Sequence, residues 1–288
     1  MRPLLGYADR GNRGDDAVWR APSWRGGHVD EQIVRFYDQF ASDYHLIMAD
    51  WEQSVRQQGV VLDRLITAAS AGRARSVLDC SCGIGTQALG LAAHGYRVHA
   101  TDLSPGAIAR ARREATAFGV TLTFGVADFR LLQTQVAGHF DVVLSCDNAV
   151  AHLLDEADLH QTARSMWSKL APSGLLLLSV RDYDALLDEQ PRATPVRVFD
   201  SPAGQRAVFQ VWDWAPDGRR YTMHQFILRK AEEVWQTTHY TTQLRALRRA
   251  DLSAILDDAG FVDIAWQMPT ESGYYQPIVL ARKGGRLA

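Results

Sequence analysis

The stretch SVLDCSCGIGTQALGLAAHG, residues 76–95, decides the fold that we expect for this chain. An apolar run predicts a buried strand, Gly83 and Gly85 predict a tight turn, and the residues after them predict the start of a helix. A turn of this kind usually holds a nucleotide-like cofactor. Because the spacing also fits the dinucleotide-binding fingerprint, the stretch alone does not identify the cofactor.

The composition indicates a globular protein that acts on small molecules. The chain has 288 residues, 47% of them hydrophobic, which is enough for a large α/β domain with an elaboration or for two small domains. Its net charge is −2 and the basic residues are scattered, which disfavours nucleic acid as a partner. The longest apolar run, residues 175–180, is too short to cross a membrane, and glycines and a proline interrupt residues 1–14 where a signal-peptide core would lie. We therefore expect a cytoplasmic protein.

The three cysteines predict packing rather than chemistry. Cys80, Cys82 and Cys146 have no cysteine or histidine partners at the spacings of a zinc site, so no metal site is predicted. No cation lies beside Cys82 or Cys146 in the sequence to stabilise a thiolate.

The order of the elements predicts one α/β domain over residues 31–288, preceded by an arm over residues 1–30. Helical periodicity covers residues 31–69, and strands that alternate with helices follow. Such alternation indicates a parallel sheet with right-handed crossovers. The predicted strands are residues 76–80, 97–101, 121–126, 140–146 and 174–181.

The alternation stops after Asp184, and an antiparallel β insertion is predicted over residues 185–246. Asp217 and Gly218 suit one of its hairpin turns. A helix over residues 250–259, ended by Gly260, and strands over residues 261–267 and 277–282 complete the sheet.

Three acidic residues at predicted strand ends narrow the choice of cofactor. Asp79 precedes the glycine turn, where it would repel a pyrophosphate but would attract an ammonium or a sulfonium group. Asp102 follows the second strand, where it could accept hydrogen bonds from a ribose diol. Asp128 follows the third strand and could accept from an adenine amino group while Phe129 covers the ring. S-adenosylmethionine (SAM) has all of these groups.

The motifs VLDCSCGIG, ATDLS, VADF and FDVVLSCDNAVAHL resemble those of the class I SAM-dependent methyltransferases. The resemblance covers about residues 31–283. It implies a Rossmann-like seven-stranded sheet that binds SAM at the carboxyl ends of its strands. The cofactor-binding set expected on this basis is Tyr37, Tyr44, Arg56, Asp79, Gly83, Gly85, Asp102, Leu103, Asp128, Phe129 and Cys146.

Three segments resemble the glycine and glycine/sarcosine N-methyltransferases in particular: CDNAVAHL, LLLLSVRDYD and THYTTQLRALRRADLSAILDDAGF. The resemblance implies that Arg181 holds a substrate carboxylate and that Asn148 and Tyr240 orient the amine. Asn148 and His152 share one face of a helix if the segment is helical. Asp147 replaces a small residue of those enzymes and would suit a larger or cationic amine better than glycine. The substrate-binding set is Asp147, Asn148, His152, Arg181, Tyr240 and Tyr275, with His152 or Asp147 as the candidate base.

Alternatives remain open at this level. Arg181 could instead form an ion pair with Asp182 or Asp184. The same cofactor site could serve O- or C-methylation of a specialised metabolite, or a SAM-binding module that is not an enzyme. The predicted partner is a small-molecule amine, with neither nucleic acid nor membrane, and a homo-oligomer is compatible with the sequence.

Overall fold

The structure, a computed structural model, describes residues 29–201 and 204–285. The predicted arm lies outside the described residues except at positions 29 and 30, where the first helix begins. The helices are α1 (Val29–Phe40), α2 (Trp51–Ser70), α3 (Thr86–Ala93), α4 (Pro105–Phe118), α5 (Leu132–Gln135), α6 (Glu156–Lys169), α7 (Tyr183–Glu189), α8 (Arg249–Asp258) and α9 (Pro269–Ser272).

A seven-stranded sheet forms the centre of the domain, as predicted. Its strands are β1 (Ser76–Asp79), β2 (Arg97–Asp102), β3 (Thr123–Val126), β4 (Phe140–Ser145), β5 (Leu170–Ser179), β10 (Phe261–Gln267) and β11 (Ile278–Lys283). They lie in the order β10-β11-β5-β4-β1-β2-β3, and β11 runs antiparallel to β5. The strand order reverses beside β1, which places a ligand crevice at the carboxyl edge of β1 and its neighbours.

The central strands are buried on both faces, because helices cover the sheet on each side. Val77 and Leu78 of β1, residues 142–144 of β4 and residues 175–178 of β5 are almost completely enclosed. A sheet buried on both sides needs continuous apolar strands rather than alternating ones, which is the pattern in the sequence. Burying each of these side chains contributes about 1.5–3 kcal/mol.

Helices α2 and α3 pack closely enough to require glycine at their contact. A Cβ on Gly59 would lie 2.9 Å from backbone atoms of Gly90, and a Cβ on Gly90 would lie 2.6 Å from the carbonyl oxygen of Val55. Because α3 follows the glycine turn directly, this contact fixes the position of the turn against the N-terminal helices.

The insertion forms a second, antiparallel sheet of four strands in the order β6 (Arg197–Ser201), β7 (Gly204–Trp214), β8 (Arg220–Ala231) and β9 (Val234–Arg245). The turn between β7 and β8 contains Asp217 and Gly218, with Gly218 at φ 62°, as the sequence predicted. The four strands lie between residues 197 and 245. The sequence predicts that the insertion begins at residue 185, but helix α7 occupies the chain up to Glu189.

Helix ends follow the sequence signals closely. The Ser104 hydroxyl accepts from the backbone N–H of Ala107 at 2.9 Å, with Pro105 in the first helical position of α4. Gly260 has φ 89° just after α8. None of the helices in the described ranges is long and apolar enough to cross a membrane.

Candidate active site

Two spaces meet at the carboxyl edge of the central sheet. A narrow space, here named the loop crevice, lies against the glycine turn, and a cavity of about 710 Å³, here named the large cavity, lies between the sheet and the insertion. Four residues line both spaces: Tyr37, Tyr44, Asp147 and His152. The loop crevice is also lined by Gly83, Asp102, Leu103, Asp128, Phe129 and Cys146.

Asp79 lies directly before Cys80 and Ser81 of the loop crevice and carries a carboxyl oxygen that is unpaired within the described part of the chain. Asp79 is completely buried, and among the described residues its Oδ2 atom has no hydrogen-bond partner. Its Oδ1 accepts only from the backbone N–H of Ser81, at 3.3 Å. Burial raises the pKa of the Asp79 carboxyl well above its ordinary value. Such a buried, unsatisfied carboxyl suits the ammonium group of SAM.

Asp102 holds the glycine turn in place from the end of β2. Its two oxygens accept from the backbone N–H groups of Gly83, at 2.8 Å, and Ser104, at 2.9 Å. Each oxygen retains a lone pair, so the carboxyl can also accept from a ligand hydroxyl. Burial raises the pKa of Asp102 as well.

Gly83 and Gly85 adopt conformations that other residues avoid. Their φ angles are 53° and 102°, in the left-handed region. A Cβ on Gly83 would meet no protein atom within 4 Å, so a side chain there would project into open space at the crevice. This is the close backbone approach that a cofactor needs, and the residues present therefore fit SAM.

Asp128 is less available than the sequence suggested. It is buried beside the crevice, but its oxygens accept from the Arg130 backbone N–H, at 2.8 Å, and from the Arg130 guanidinium, whose Nε lies 2.9 Å away. These bonds use most of the lone pairs of the carboxylate. The predicted contact with an adenine amino group would therefore compete with Arg130.

The turn after β4 places consecutive polar residues in the cavity wall through unusual backbone angles. Asp147 and Asn148 have φ angles of 58° and 70°. Asp and Asn tolerate this region best among residues other than glycine, although each such position costs about 1–3 kcal/mol. Two bonds to Ser179 stabilise the turn: Asp147 N–H donates to its hydroxyl and Asn148 N–H to its carbonyl.

The predicted helical pairing of Asn148 and His152 is wrong in its geometry. Asn148 is left-handed, and a short 3₁₀ helix, Ala149–His152, follows it. Both side chains nevertheless line the large cavity. Asn148 donates to the Tyr183 hydroxyl at 2.9 Å and accepts from the backbone N–H of Arg181 at 3.2 Å.

Asp147 is surrounded by tyrosine hydroxyls. Tyr274 and Tyr275 donate to its Oδ1 at 2.9 and 2.6 Å, and Tyr44 donates to Oδ2 at 3.4 Å. Burial, together with the charge of Asp147, raises the pKa of the Tyr44 and Tyr274 hydroxyls. They stay protonated and continue to donate at neutral pH.

His152 is a neutral, hydrogen-bonded residue. Its Nε2 lies 2.7 Å from the Tyr37 hydroxyl, and its Nδ1 lies 3.4 Å from the Thr242 hydroxyl. Burial, reinforced by the positive charge of Arg181, lowers the pKa of His152 to about 4. The imidazole therefore cannot serve as a strong base.

Arg181 lines the large cavity without a carboxylate partner in the described residues. Its guanidinium donates to the Gln210 side-chain oxygen at 3.0 Å and to the Tyr221 hydroxyl at 3.3 Å, and it lies 4.8 Å from the Trp212 ring centroid. The alternative ion pairs of Arg181 are not formed. Asp182 pairs with Arg249 at 2.6 Å, and Asp184 pairs with both Arg249 and Arg248.

Two predicted contacts do not agree with the structure. The Tyr240 hydroxyl donates to Asp43 at 2.9 Å and does not line the large cavity, because Tyr240 is on the side of β9 that faces α1. Arg56 is exposed on α2, pairs with Glu52 one helical turn away, and lines neither space.

Sequence reasoning missed three contributors to the cavity wall. Gln210 and Trp212 lie on β7, and Tyr274 follows α9, so each comes from a segment distant in sequence. Trp212 and Tyr274 are buried aromatic residues, and composition alone favours a packing role for such residues. Gln210 gives a weak signal: a polar side chain within the apolar strand VFQVW.

About a third of the chain, which includes the glycine turn, matches a family model. Residues 77–174 match the family model described as a methyltransferase domain. The chain is 33% identical over 160 residues to the glycine/sarcosine N-methyltransferase of Parasynechococcus marenigrum, covering 56% of this chain and 55% of that protein. It is 26% identical over 216 residues to the glycine/sarcosine N-methyltransferase of Halorhodospira halochloris, covering 70% of this chain and 75% of that protein. The match spans about half the length of the first relative.

A solved structure confirms the fold. A SAM-bound amino pentose methyltransferase from Micromonospora echinaspora superposes with a TM-score of 0.66 at 20% identity, covering 80% of this chain and 92% of that chain. These findings confirm the resemblance and the Rossmann-like fold that the sequence predicted.

Proposed function

We propose that this class I SAM-dependent methyltransferase transfers a methyl group to the nitrogen of a small amine that also carries a carboxylate. The observation that carries the proposal is the Arg181 guanidinium, which lines the large cavity with no carboxylate partner in the described residues. An Arg within a wall of aromatic and amide side chains is well suited to bind a carboxylate through two parallel hydrogen bonds. The glycine/sarcosine N-methyltransferase relatives support an amine as the other half of the acceptor.

The loop crevice supplies the contacts that the cofactor requires. Asp79 would hold its ammonium group, Asp102 its ribose hydroxyls, and Leu103 and Phe129 would cover its adenine. When bound, SAM supplies an electrophilic methyl group on sulfur. Tyr37, Tyr44, Asp147 and His152 line both spaces, so the acceptor nitrogen would meet the methyl group among these four residues.

The residues of the large cavity act mainly by positioning. In the transfer, a nitrogen–carbon bond forms as the sulfur–carbon bond breaks, and the nitrogen must present a free lone pair. Arg181 would hold the carboxylate, and the Tyr37 hydroxyl, which shares a hydrogen bond of 2.7 Å with His152 Nε2, would orient the acceptor nitrogen. Alignment of this kind can supply effective molarities on the order of 10⁵–10⁸ M. The surplus proton of the amine then leaves to water.

The weak base at the site favours nitrogen over oxygen as the acceptor atom. A hydroxyl group loses its proton only to an effective base, and His152, with a pKa of about 4, does not provide one. A neutral amine already has its lone pair. The O-methylation alternative is therefore the weaker one.

A substrate screen tests the proposal directly. SAM consumption is measured over amino acids, guanidino acids, amines that lack a carboxylate and aryl alcohols, and mass spectrometry locates the added methyl. We expect turnover on nitrogen in compounds that carry a carboxylate. Methylation of aryl alcohols alone, or of amines with and without a carboxylate at equal rates, would refute the proposal.

The pH profile gives a second test. Because His152 is neutral above about pH 5, its ionisation should not limit the reaction at higher pH. At saturating SAM, log kcat/KM for the acceptor should rise with a slope of about one up to the pKa of the acceptor amine. A break near pH 6.5 that disappears in His152→Gln would show that His152 is the base.

Asp102→Ala should weaken SAM binding about tenfold or more, through the loss of charge-assisted hydrogen bonds worth about 1.5–3 kcal/mol. The substitution also frees two backbone N–H groups, so stability needs a control. Asp141→Ala is a matched one, because Asp141 accepts from the backbone N–H groups of Arg75 and Ser76 at the opposite edge of the sheet. Both variants should melt earlier, but only Asp102→Ala should lose SAM affinity by calorimetry. Equal SAM affinity in both variants would contradict the assignment.

A further inference from the structure

Asp147 is a second uncompensated charge in the large cavity, of opposite sign to Arg181. It forms no ion pair with any residue in the described ranges, and its only side-chain partners there are the hydroxyls of Tyr44, Tyr274 and Tyr275. Hydroxyl groups stabilise a carboxylate but leave its charge in place. The cavity therefore presents one positive and one negative group to whatever binds in it.

The three hydroxyls leave room for one more donor. A carboxylate has about four lone-pair sites, and the tyrosines occupy two on Oδ1 and one on Oδ2. The Tyr44 contact is the longest of the three, so Oδ2 is the more available oxygen. A cationic nitrogen placed there would complete the shell and neutralise the charge.

The reacting nitrogen cannot be that cation, because it must be neutral to attack. The ammonium group of the cofactor has a separate candidate partner, because the buried Asp79 oxygen has no hydrogen bond within the described residues. A monoamino acid bound through Arg181 would thus leave Asp147 unpaired beside the reaction centre.

We infer that Asp147, with Tyr274 and Tyr275, binds a second, cationic nitrogen of the acceptor, so that the substrate is a carboxylic acid with two basic nitrogens. A diamino acid or a guanidino acid meets this description. The inference rests on the proposed function and narrows its substrate class. A cavity of about 710 Å³ is large enough for such a molecule and much larger than glycine requires.

The test compares acceptors of matched length with and without the second cation. Lysine is paired with norleucine and ornithine with norvaline, and kcat/KM is measured for each at saturating SAM. The wild-type protein should prefer the cationic member of each pair at least about tenfold. In Asp147→Asn the preference should fall to about twofold or less, while the SAM Kd measured by calorimetry changes by less than about twofold.

The variant and its control isolate the charge. Asn tolerates the left-handed backbone at this position and still accepts from tyrosine hydroxyls, so the fold should be kept. Asp213→Asn is the control, because Asp213 is an exposed carboxylate on β7 that contacts His224 outside the cavity. It should retain the wild-type preference.

The possible failures are distinguishable. Equal use of norleucine and lysine by the wild-type protein would overturn the inference and leave the proposed function intact. An Asp147→Asn variant that loses SAM affinity but keeps the acceptor preference would show that Asp147 serves the cofactor, which also overturns it. If no amine with a carboxylate is methylated, both the inference and the proposed function are wrong.

Discussion

Arg181→Lys should raise the acceptor KM about tenfold or more while leaving SAM affinity nearly unchanged. Lysine keeps the positive charge but cannot form the planar two-point contact with a carboxylate. It also loses the bonds to Gln210 and Tyr221 and the stacking on Trp212 that hold the guanidinium in place. A lost charge-assisted pair costs about 1.5–3 kcal/mol. Acceptor kinetics, SAM calorimetry and melting temperature on one preparation measure the effect.

Arg249→Lys is the matched control for this variant. Arg249 is also an arginine bonded near the end of β5, but its partners are Asp182 and Asp184 and it lines neither space. We expect a small loss of stability and no change in acceptor KM. If Arg181→Lys also lowers the melting temperature and weakens both ligands together, Arg181 is a structural residue and the carboxylate anchor is wrong.

Asp79→Asn should stabilise the protein without ligand and weaken SAM binding at least about tenfold. The buried Asp79 oxygen has no hydrogen-bond partner in the described residues, so its ionised form is costly until an ammonium group reaches it. Asparagine removes the cost of burying an ionised carboxyl, but its neutral amide cannot pair with the charge of the ammonium group of SAM. Loss of the charged pair is expected to weaken SAM binding by about 1.5–3 kcal/mol, which is tenfold to more than a hundredfold.

The sign of the pH dependence follows from the raised pKa of Asp79. A carboxyl whose pKa is higher in the folded than in the unfolded state lowers stability as pH rises from the unfolded value through the folded one. The gain in folding stability of Asp79→Asn over the wild-type protein should therefore be absent at about pH 3 and grow as pH rises above about 4. SAM affinity of the wild-type protein should fall as pH drops, because binding requires the ionised carboxylate. Urea unfolding and calorimetry at several pH values test both; a variant that melts earlier and binds SAM normally would contradict the assignment.

Much of the fold follows from local sequence. Apolar strands, glycine turns and helix caps depend on neighbouring residues, so β1, the turn at Gly83 and Gly85, the cap at Ser104 and the hairpin at Gly218 agree with their signals. The placement of two acidic residues beside the glycine turn follows for the same reason. Asp79 and Asp102 stand at strand ends, and the carboxyl ends of parallel strands meet at one edge of the sheet.

The acceptor end depended on contacts between distant segments. The sequence predicts that Asp128 accepts a hydrogen bond from the cofactor, yet the Asp128 carboxylate already accepts from Arg130. The resemblance places Tyr240 beside the amine, yet its hydroxyl donates to Asp43. Local sequence thus determined the fold, the glycine turn and the position of Arg181 just after β5. Tertiary packing brings β7 and the residues after α9 to the end of β4. Only this packing decided that Arg181 has no carboxylate partner in the described residues and that tyrosines surround Asp147. The charge balance of a cavity is a property of side chains far apart in the chain, and no local pattern encodes it.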